Sequence, residues 1–397
     1  MKVGGWMLEV GCWTLGTNLE RPTSNLQLQT RGVSCGSMLR LRHIDVYQFK
    51  NYFSQSFDFS ERIVGICGKN GRGKTNLLDA IYYLCFTKSY FTRSDQANVY
   101  QSAAGFRVAG NFLKENEPAD VVCILRETGK KECLLNTRQY ERFADHIGKF
   151  PCVLVAPDDV QIITGSSEER RRFLDALLSQ LDAEYLKKLI EYNRVLQQRN
   201  SLLKSFAEQR RIDQGLLDVL NGQLERPAAF IFNKRRDFLY EFVPLIRQYY
   251  RQISGEEYVI DVEYETQLLK QNFHELLQWS QEKDLAIQRT STGIHRDDIS
   301  FSLDANPFKA TASQGQRKSL LFALKLAEFE SLNRHNGFPP LLLLDDVFEK
   351  LDADRMHNLL EHVGCKNQGQ IFLTDTHCER MEGALKALGE KYEVIKL

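Results

Sequence analysis

The clearest chemical motif of the sequence is the stretch GKNGRGKTN, from Gly68 to Asn76. The stretch fits G-x-x-x-x-G-K-[ST], in which glycines let backbone N–H groups turn inward around phosphate groups. We expect Lys74 to reach the β- and γ-phosphates of a nucleoside triphosphate and Thr75 to coordinate Mg²⁺. The predicted nucleotide-binding residues are Gly68, Lys69, Asn70, Gly71, Arg72, Gly73, Lys74, Thr75 and Asn76.

A second candidate site is the stretch LLLLDDVFEKLD, in which four leucines predict a buried strand that ends at Asp345 and Asp346. Beside a phosphate-binding loop, the first carboxylate would hold Mg²⁺, usually through water. The second would orient or deprotonate the attacking water. Lys74 and Asp346 are therefore the predicted catalytic residues, and Thr75 and Asp345 the predicted metal ligands. The alternative is a strand that ends in a solvated acidic turn.

A third stretch, SQGQ from Ser313 to Gln316, lies at a predicted helix start about 30 residues before Asp345. Ser313 is expected to cap the helix, and Gly315 to permit close approach of another group. The helix N-terminus would then be a second phosphate-binding end with no phosphate of its own in the chain. A serine and a glycine at a helix start are common by themselves. Because SQGQ also precedes a predicted strand that ends in two carboxylates, it resembles the signature motif of ABC-type ATPases.

Alternating strands and helices are expected to position these residues. Residues 38–166 and 256–397 favour strands with a few helices, and FRVAGNF, DVVCILRE and KKECLLN predict antiparallel strands. Residues 167–255 favour helices, with a cap at Ser166 or Ser167 and an interruption at Pro227. We interpret 167–255 as an inserted helical domain. Residues 1–37 are interpreted as a mis-called start or a disordered leader before a working start at Met38.

The composition and net charge of the chain exclude few functional classes. Lys and Arg number 52 and so do Asp and Glu, so net charge does not indicate a nucleic-acid partner, although a local patch could bind one. No apolar run approaches the ~20 residues that span a bilayer, so no membrane partner is expected. The nine cysteines are scattered, which predicts reduced thiols in a cytoplasmic protein and a packing role for Cys67.

Several motifs in one order carry a more specific resemblance. A strand leading to FKNY and then GKNGRGKTNLLDAIYYL resembles the heads of SMC-like ATPases. The stretches TKSYFTRSD, APDDVQIITGSSEERRRFLD, TGIHRDDISF, SQGQRKSLLFALKLAE and LLLLDDVFEKLD resemble the RecF family of bacterial recombination mediators over residues 38–397. The resemblance implies an α/β fold, an ABC-type P-loop ATPase head with a mixed sheet, flanking helices, an antiparallel β subdomain and an inserted α-helical domain.

The resemblance also implies roles for individual residues. Ser313, Gly315 and Gln316 would contact the ATP of a partner subunit, and Leu351-Asp352 would form the loop that crosses the dimer interface. Most ABC-type ATPases have Glu where Asp346 stands, and the shorter side chain implies slow turnover. The position of the switch histidine stays open among Thr374, Asp375, Thr376 and His377.

As a whole, the resemblance implies a weak, DNA-stimulated ATPase that uses ATP and Mg²⁺ as a switch. Two copies would dimerise on ATP and bind single-stranded and gapped DNA. The protein would act in DNA replication, recombinational gap repair and SOS induction, helping RecO and RecR to load RecA.

The DNA-contacting residues are less well defined. The candidates are Arg40, Arg42, Lys50, Lys88 and Arg93, with Tyr90 and Phe91 between them. Basic side chains would neutralise phosphates; the alternative for each residue is ordinary surface charge or packing. Arg170 to Arg172 fit salt bridges at a helix start, and His295 to Asp298 fit a polar hairpin that orders the signature loop.

Two other functional classes were weighed. The ATPase subunit of an ABC transporter would also dimerise through a signature motif, but it would require a membrane partner and would lack the helical insertion and FKNY. A metabolic kinase or GTPase would need no SQGQ, and NKRRD at Asn233 does not fit the N-K-x-D guanine motif.

Overall fold

The structure is a computed structural model that describes residues 38–255, 259–349, 353–366 and 368–397. Residues 1–37, for which a leader was predicted, lie outside this range. The described strands are β1 (Leu39–Phe49), β2 (Tyr52–Asp58), β3 (Ile63–Cys67), β4 (Phe106–Lys114), β5 (Glu117–Leu125), β6 (Lys131–Leu135), β7 (Arg138–Gln139), β8 (Cys152–Val155), β9 (Ile260–Glu265), β10 (Asp298–Leu303), β11 (Asn306–Pro307), β12 (Leu341–Leu344), β13 (Ile371–Asp375) and β14 (Tyr392–Lys396).

The described helices are α1 (Lys74–Phe86), α2 (Gln161–Thr164), α3 (Ser167–Leu181), α4 (Ala183–Gln209), α5 (Gln214–Ser254), α6 (Phe273–Ile287), α7 (Phe308–Thr311), α8 (Gln314–Asn336), α9 (Ala353–Glu361) and α10 (Cys378–Ala387). Within the described ranges, no helix combines the length and the apolar character that crossing a membrane requires.

A five-stranded parallel sheet in the order β14-β3-β13-β12-β8 lies at the centre. Every residue of β3, β12 and β13 is buried, as expected for strands covered on both faces. The carboxyl ends of these three neighbouring strands meet at one edge of the sheet. That edge carries Gly68, Asp345 and the segment after Asp375, and it is where ligands bind in open α/β sheets.

A six-stranded antiparallel sheet in the order β2-β1-β4-β5-β6-β7 includes the three predicted antiparallel strands. Helix α1 lies between this sheet and the parallel one. Its Leu77 and Ile81 share one apolar core with Val108 of the antiparallel sheet and with Ile66 and Leu343 of the parallel sheet. The helix that follows the glycine loop is therefore held rigidly on both sides.

Residues 167–254 are helical, as predicted, but the expected interruption at Pro227 is wrong. Helix α5 continues for 41 residues through both Pro227 and Pro244. It packs against α4, α6 and α8, and this tertiary packing offsets the backbone hydrogen bonds that the prolines remove. Its Leu224 and Ile246 share a core with Leu342 of the parallel sheet. The domain boundaries themselves stay a prediction.

Candidate nucleotide-binding site

The glycine loop connects the buried strand β3 to α1, as the sequence predicts. Gly73 caps α1 with a φ of 108°, in the left-handed region that favours glycine. A Cβ at this position would lie 2.6 Å from Asn51 Nδ2 and 2.8 Å from the Tyr52 hydroxyl oxygen, so a side chain is also excluded by contact. The loop therefore has the backbone shape that its motif requires.

Asn51 and Tyr52 belong to FKNY, a stretch to which the sequence analysis gave no role. The Tyr52 hydroxyl donates to the Gly73 carbonyl oxygen at 3.0 Å. Asn51 Nδ2 donates to the Arg72 carbonyl oxygen at 3.2 Å, and Asn76 Nδ2 donates to Asn51 Oδ1 at 2.7 Å. Asn51, in the turn after β1, and Tyr52, the first residue of β2, therefore position the glycine loop. Their separation from the loop in sequence gave no local signal of this role.

The Lys74 ammonium group lies inside the glycine loop. Its Nζ donates to the Gly68 carbonyl oxygen at 2.9 Å and to the Lys69 carbonyl oxygen at 3.4 Å, and the residue is 5% exposed. A buried cation held by neutral carbonyl groups keeps its charge available to an anion. The loop therefore fits a phosphate group.

Thr75 and Asp345 come together from α1 and the end of β12, as predicted. Thr75 Oγ1 lies 3.0 Å from both carboxylate oxygens of Asp345. Thr374, at the end of β13, donates to Asp345 Oδ1 at 2.8 Å and accepts from the backbone N–H of Asp346 at 2.9 Å. Thr374 therefore positions the carboxylate of Asp345 and the backbone of Asp346, although the sequence raised it only as a switch candidate.

The electrostatics of Asp345 fit a cation. The residue is 3% exposed, and burial raises its pKa to about 6. The charge of Asp346 adds to the rise, whereas hydrogen bonds from Thr374 and Thr75 oppose it. A hydroxyl and a carboxylate are the hard ligands that Mg²⁺ takes beside phosphate oxygens. Among the described residues there is no group of three His, Cys, Asp or Glu side chains that could hold a metal ion.

Asp346 has a backbone conformation that its residue type rarely adopts. Its φ is 46°, in the left-handed region. Such strain costs on the order of 1–3 kcal/mol and persists where surrounding contacts impose it, often at functional sites. The backbone N–H of Asp346 donates to Thr374 Oγ1, which helps to hold the residue in this conformation at the end of β12.

The four switch candidates are Thr374 and Asp375, the last two residues of β13, and Thr376 and His377, which follow the strand. The structure gives them different surroundings. Thr374 and Asp375 are fully buried, and Asp375 accepts two hydrogen bonds from Arg380, at 2.8 and 2.5 Å. His377 is exposed, and its Nδ1 lies 2.8 Å from Thr376 Oγ1. The side chains of Thr374 and Asp375 therefore already form hydrogen bonds within the chain, whereas His377 is exposed to solvent.

The predicted cap of the signature helix is confirmed. Ser313 Oγ accepts from the Gln316 backbone N–H at 3.2 Å, and Gln316 Oε1 accepts from the Ser313 backbone N–H at 2.9 Å. A Cβ on Gly315 would lie 2.4 Å from Arg355 Nη1, so the group that approaches this glycine within the chain is a guanidinium. No described hydrogen bond joins the signature residues to the glycine loop. The predicted interface loop Leu351-Asp352 lies outside the described residues.

One expectation about the cysteines is wrong. Cys67 and Cys378 form a disulfide, with 5.2 Å between their Cα atoms. The register of the parallel sheet pairs Cys67 with Asp375, and α10 begins at Cys378 just beyond the turn. Two cysteines separated by 311 positions are thereby brought together at the base of the glycine loop. Sequence spacing alone could not show this.

The candidate DNA contacts divide into two groups. Lys50 forms an ion pair with Asp79 at 2.5 Å, and the Tyr90 hydroxyl hydrogen-bonds to Asp159, so the packing alternative holds for these two. Arg40 is half-buried. The exposed candidates are Arg42, Lys88, Phe91 and Arg93.

Described hydrogen bonds join the motif around His295 to the helical segment. Asp297 accepts from Arg235 at 3.0 Å, and Tyr192 hydrogen-bonds to His295 at 2.7 Å. Arg170 holds Asp298 with two bonds, at 2.6 and 2.9 Å. The expected salt bridges are thus confirmed for Arg170 and Arg172. The guessed role of the motif stays a prediction.

Comparisons with known proteins agree with this geometry. The RecF/RecN/SMC N terminal domain family matches residues 40–394. A DNA replication and repair protein RecF of Flavobacterium johnsoniae is 41% identical over 359 residues, which cover 90% of this chain and 100% of the relative. That of Porphyromonas gingivalis is 37% identical, with 90% and 98% covered.

Solved structures give the same result. A RecF–ATPrS structure from the RecFOR pathway has a TM-score of 0.82 at 26% identity and covers 91% of this chain and 97% of its own. A Pyrococcus furiosus Smc head domain has a TM-score of 0.51 at 16% identity, covering 87% and 92%, and shares the fold. The predicted ABC-type α/β head is therefore confirmed, and the chain belongs to the RecF family of DNA replication and repair proteins.

Proposed function

We propose that this protein is an ATP-operated clamp on DNA. The observation that carries the proposal is the contact of Thr75 with Asp345 beside the Lys74 ammonium group, at the sheet edge where the glycine loop begins. This arrangement supports binding of ATP with Mg²⁺, and RecF relatives have been solved as RecF-ATP complexes. Membership of the RecF family supports DNA repair over the work of a transporter subunit.

Within the site, each side chain would have a distinct task. Lys74 would bind the β- and γ-phosphates, Thr75 and Asp345 would hold Mg²⁺, and Asp346 would orient the attacking water. Because Thr374 and Asp375 are committed to internal contacts, the exposed His377 is the residue that we assign to the γ-phosphate. The short Asp346 side chain supports slow hydrolysis, suited to a switch.

Dimerisation would complete the site. A capped helix N-terminus at Ser313, with no phosphate of its own in the chain, is suited to bind the γ-phosphate held by a second copy. Ser313, Gly315 and Gln316 would then act in the partner's site. The closed dimer would hold single-stranded or gapped DNA in the cytoplasm and, with RecO and RecR, help to load RecA in replication, gap repair and the SOS response.

The test is the molar mass in solution with and without ATP, with Asp346→Asn to retain the nucleotide. We expect a monomer without ATP and a dimer with it, strengthened by a gapped duplex. Ser313→Arg should abolish the dimer while leaving ATP binding intact, because Ser313 has no contact with its own glycine loop among the described residues. A protein that stays monomeric with ATP and gapped DNA would exclude the clamp.

A further inference from the structure

A cleft of about 450 Å³ lies between the end of α1 and the helices α3 and α4. It is separate from the nucleotide-binding edge, since α1 begins at the glycine loop and is 13 residues long, or about 20 Å. The volume is in the range of pockets that bind one small ligand and is too small for a duplex. Apolar side chains of Phe86, Leu186 and Leu189 form part of its wall.

The cleft has an excess of positive charge. Its charged lining residues are Lys88, Arg171, Arg172, Arg235, Glu168 and Asp175. Arg172 pairs with Glu168 at 2.8 Å, and Arg235 pairs with Asp175 at 2.8 Å, so both carboxylates are already used. Two cations are left over, one on the turn after α1 and one on α3.

Neither of these two cations has an ion pair within the described parts of the chain. Arg171 donates to the backbone carbonyl oxygen of Asp297 at 2.5 Å, while Arg170 and Arg235 occupy the nearby carboxylates. Lys88 makes no hydrogen bond or ion pair among the described residues, although the turn that carries it is fixed. The next two residues, Ser89 and Tyr90, both hydrogen-bond to Asp79.

The surroundings of both cations favour an added anion. The Lys88 side chain is exposed to solvent overall, yet protein surrounds it closely enough that burial lowers its pKa, and the charges of Arg172 and Lys131 lower it further. Burial also lowers the pKa of Arg171, and the charge of Arg235 adds to the effect, whereas Asp298, Asp175 and Asp297 oppose it. An anion in the cleft would relieve the repulsion of Lys88 by Arg172 and Lys131.

We propose that this cleft binds one nucleotide of a single DNA strand, with Lys88 and Arg171 on its phosphate and the apolar wall against its sugar or base. This inference rests on the proposed DNA clamp and names a site within it. Positively charged grooves that follow the backbone are one means by which proteins bind single strands without sequence preference. Arg93, whose side chain is 86% exposed, lies 3.8 Å from the lining residue Glu168, so the basic surface continues beyond the cleft and favours a strand over a free nucleotide.

The experiment measures binding of a labelled single-stranded oligonucleotide by fluorescence anisotropy, with ATP and over a range of salt concentrations. We expect Lys88→Ala and Arg171→Ala each to weaken binding about tenfold and to reduce the salt slope by about one. The matched control is Lys187→Ala, an exposed lysine of α4 outside the cleft, which should leave the affinity unchanged. The melting temperature of each variant reports folding, and Lys88→Ala should not lower it.

Three other outcomes decide against the inference in different ways. If the wild-type protein binds DNA and the two cleft variants bind it equally well, the cleft site is wrong and the clamp stands. If deoxyadenosine monophosphate binds in a manner that Lys88→Ala abolishes while strand binding is unaffected, the ligand is a free nucleotide. If the wild-type protein binds no DNA with ATP, the proposed function fails first.

Discussion

The disulfide between Cys67 and Cys378 joins the residue before Gly68 to the residue after His377. It therefore fixes the segment after β13 to the base of the glycine loop. A cross-link stabilises mainly by constraining the unfolded chain, typically by 2–4 kcal/mol, and the effect grows with loop length. With 311 positions enclosed, we expect reduction to lower the free energy of unfolding by about 2–4 kcal/mol.

The measurement is urea-induced unfolding of the oxidised protein with and without dithiothreitol. Cys378→Ser is the control, since it should have the lower midpoint already and should not respond to the reductant. The described free cysteines, including Cys85 and Cys152, are buried and should react with a thiol reagent only on unfolding. Equal midpoints for the oxidised and reduced protein would contradict the prediction.

Thr374 gives a second prediction. Thr374→Val keeps the volume of the side chain but removes the hydrogen bond to Asp345 and the acceptor for the Asp346 backbone. Groups that orient metal ligands typically contribute 10–100-fold to metal affinity. We therefore expect the Mg²⁺ concentration for half-maximal ATP hydrolysis to rise about 10–100-fold. The matched control is Thr164→Val, whose hydroxyl donates to the Val160 carbonyl oxygen at 3.1 Å and to neither aspartate, and which should leave that concentration unchanged.

The comparison of sequence and structure shows which features are local. The glycine loop, the Asp345-Asp346 pair and the cap at Ser313 each depend on a few adjacent residues, and all were predicted. The roles of Tyr52 and Thr374 and the Cys67–Cys378 bond depend on which strands are neighbours. That order is set by packing across hundreds of positions, so no spacing rule reveals it.

The prediction of a helix interruption at Pro227 is wrong because tertiary packing overrides a local rule there. Local propensity ends a helix there, but the apolar residues of α5 on both sides of the proline pack into one core. Their burial outweighs a local cost of about 3 kcal/mol.

The basic residues Lys50 and Lys88 look alike in sequence. Only the position of Asp79 shows that Lys50 is structural.

Lys325, on α8, gives a third prediction. Its Nζ lies 3.5 Å from carboxylate oxygens of both Asp159 and Glu328, and all three residues are buried. Lys325→Met would leave two buried carboxylates without a cation. Breaking a buried ion pair from one side costs about 3–5 kcal/mol, and we expect this loss in the free energy of unfolding.

The control for Lys325 removes the other charge. Burial raises the pKa of Glu328 to about 7, so Glu328→Gln replaces a group that is already partly neutral. Glu328→Gln should therefore cost much less than Lys325→Met, as measured by urea unfolding at pH 7. Equal losses would mean that side-chain packing, and not charge, sets the stability of this cluster.

His146 gives a prediction with pH. Burial lowers the pKa of His146 to about 4, and a hydrogen bond to the Leu84 carbonyl oxygen partly opposes this effect. That hydrogen bond joins Nε2 of the ring to the carbonyl oxygen at 2.7 Å, which assigns the proton to Nε2. The unfolded chain takes up a proton near pH 6.5, whereas the folded protein takes it up only near pH 4. Above pH 6.5 the histidine is neutral in both states and does not lower the free energy of unfolding. As the pH falls from 6.5 to 4, protonation of the unfolded chain lowers the free energy of unfolding by at most about 3 kcal/mol.

The measurement for His146 is the change in the free energy of unfolding between pH 7.5 and pH 5, compared between the wild-type protein and His146→Gln. The variant has no group that titrates here, so it should lose less stability on acidification than the wild type. Glu328 is present in both proteins, so its contribution cancels in this comparison. Its raised pKa makes the free energy of unfolding rise on acidification, opposite to the effect of His146. His43 is the matched control: its bond to Asp58 raises its pKa, so it stabilises below pH 6.5 and that contribution is lost as the pH rises. His43→Gln should therefore lose more stability on acidification than the wild type, and identical pH dependence in all three proteins would show that neither histidine contributes.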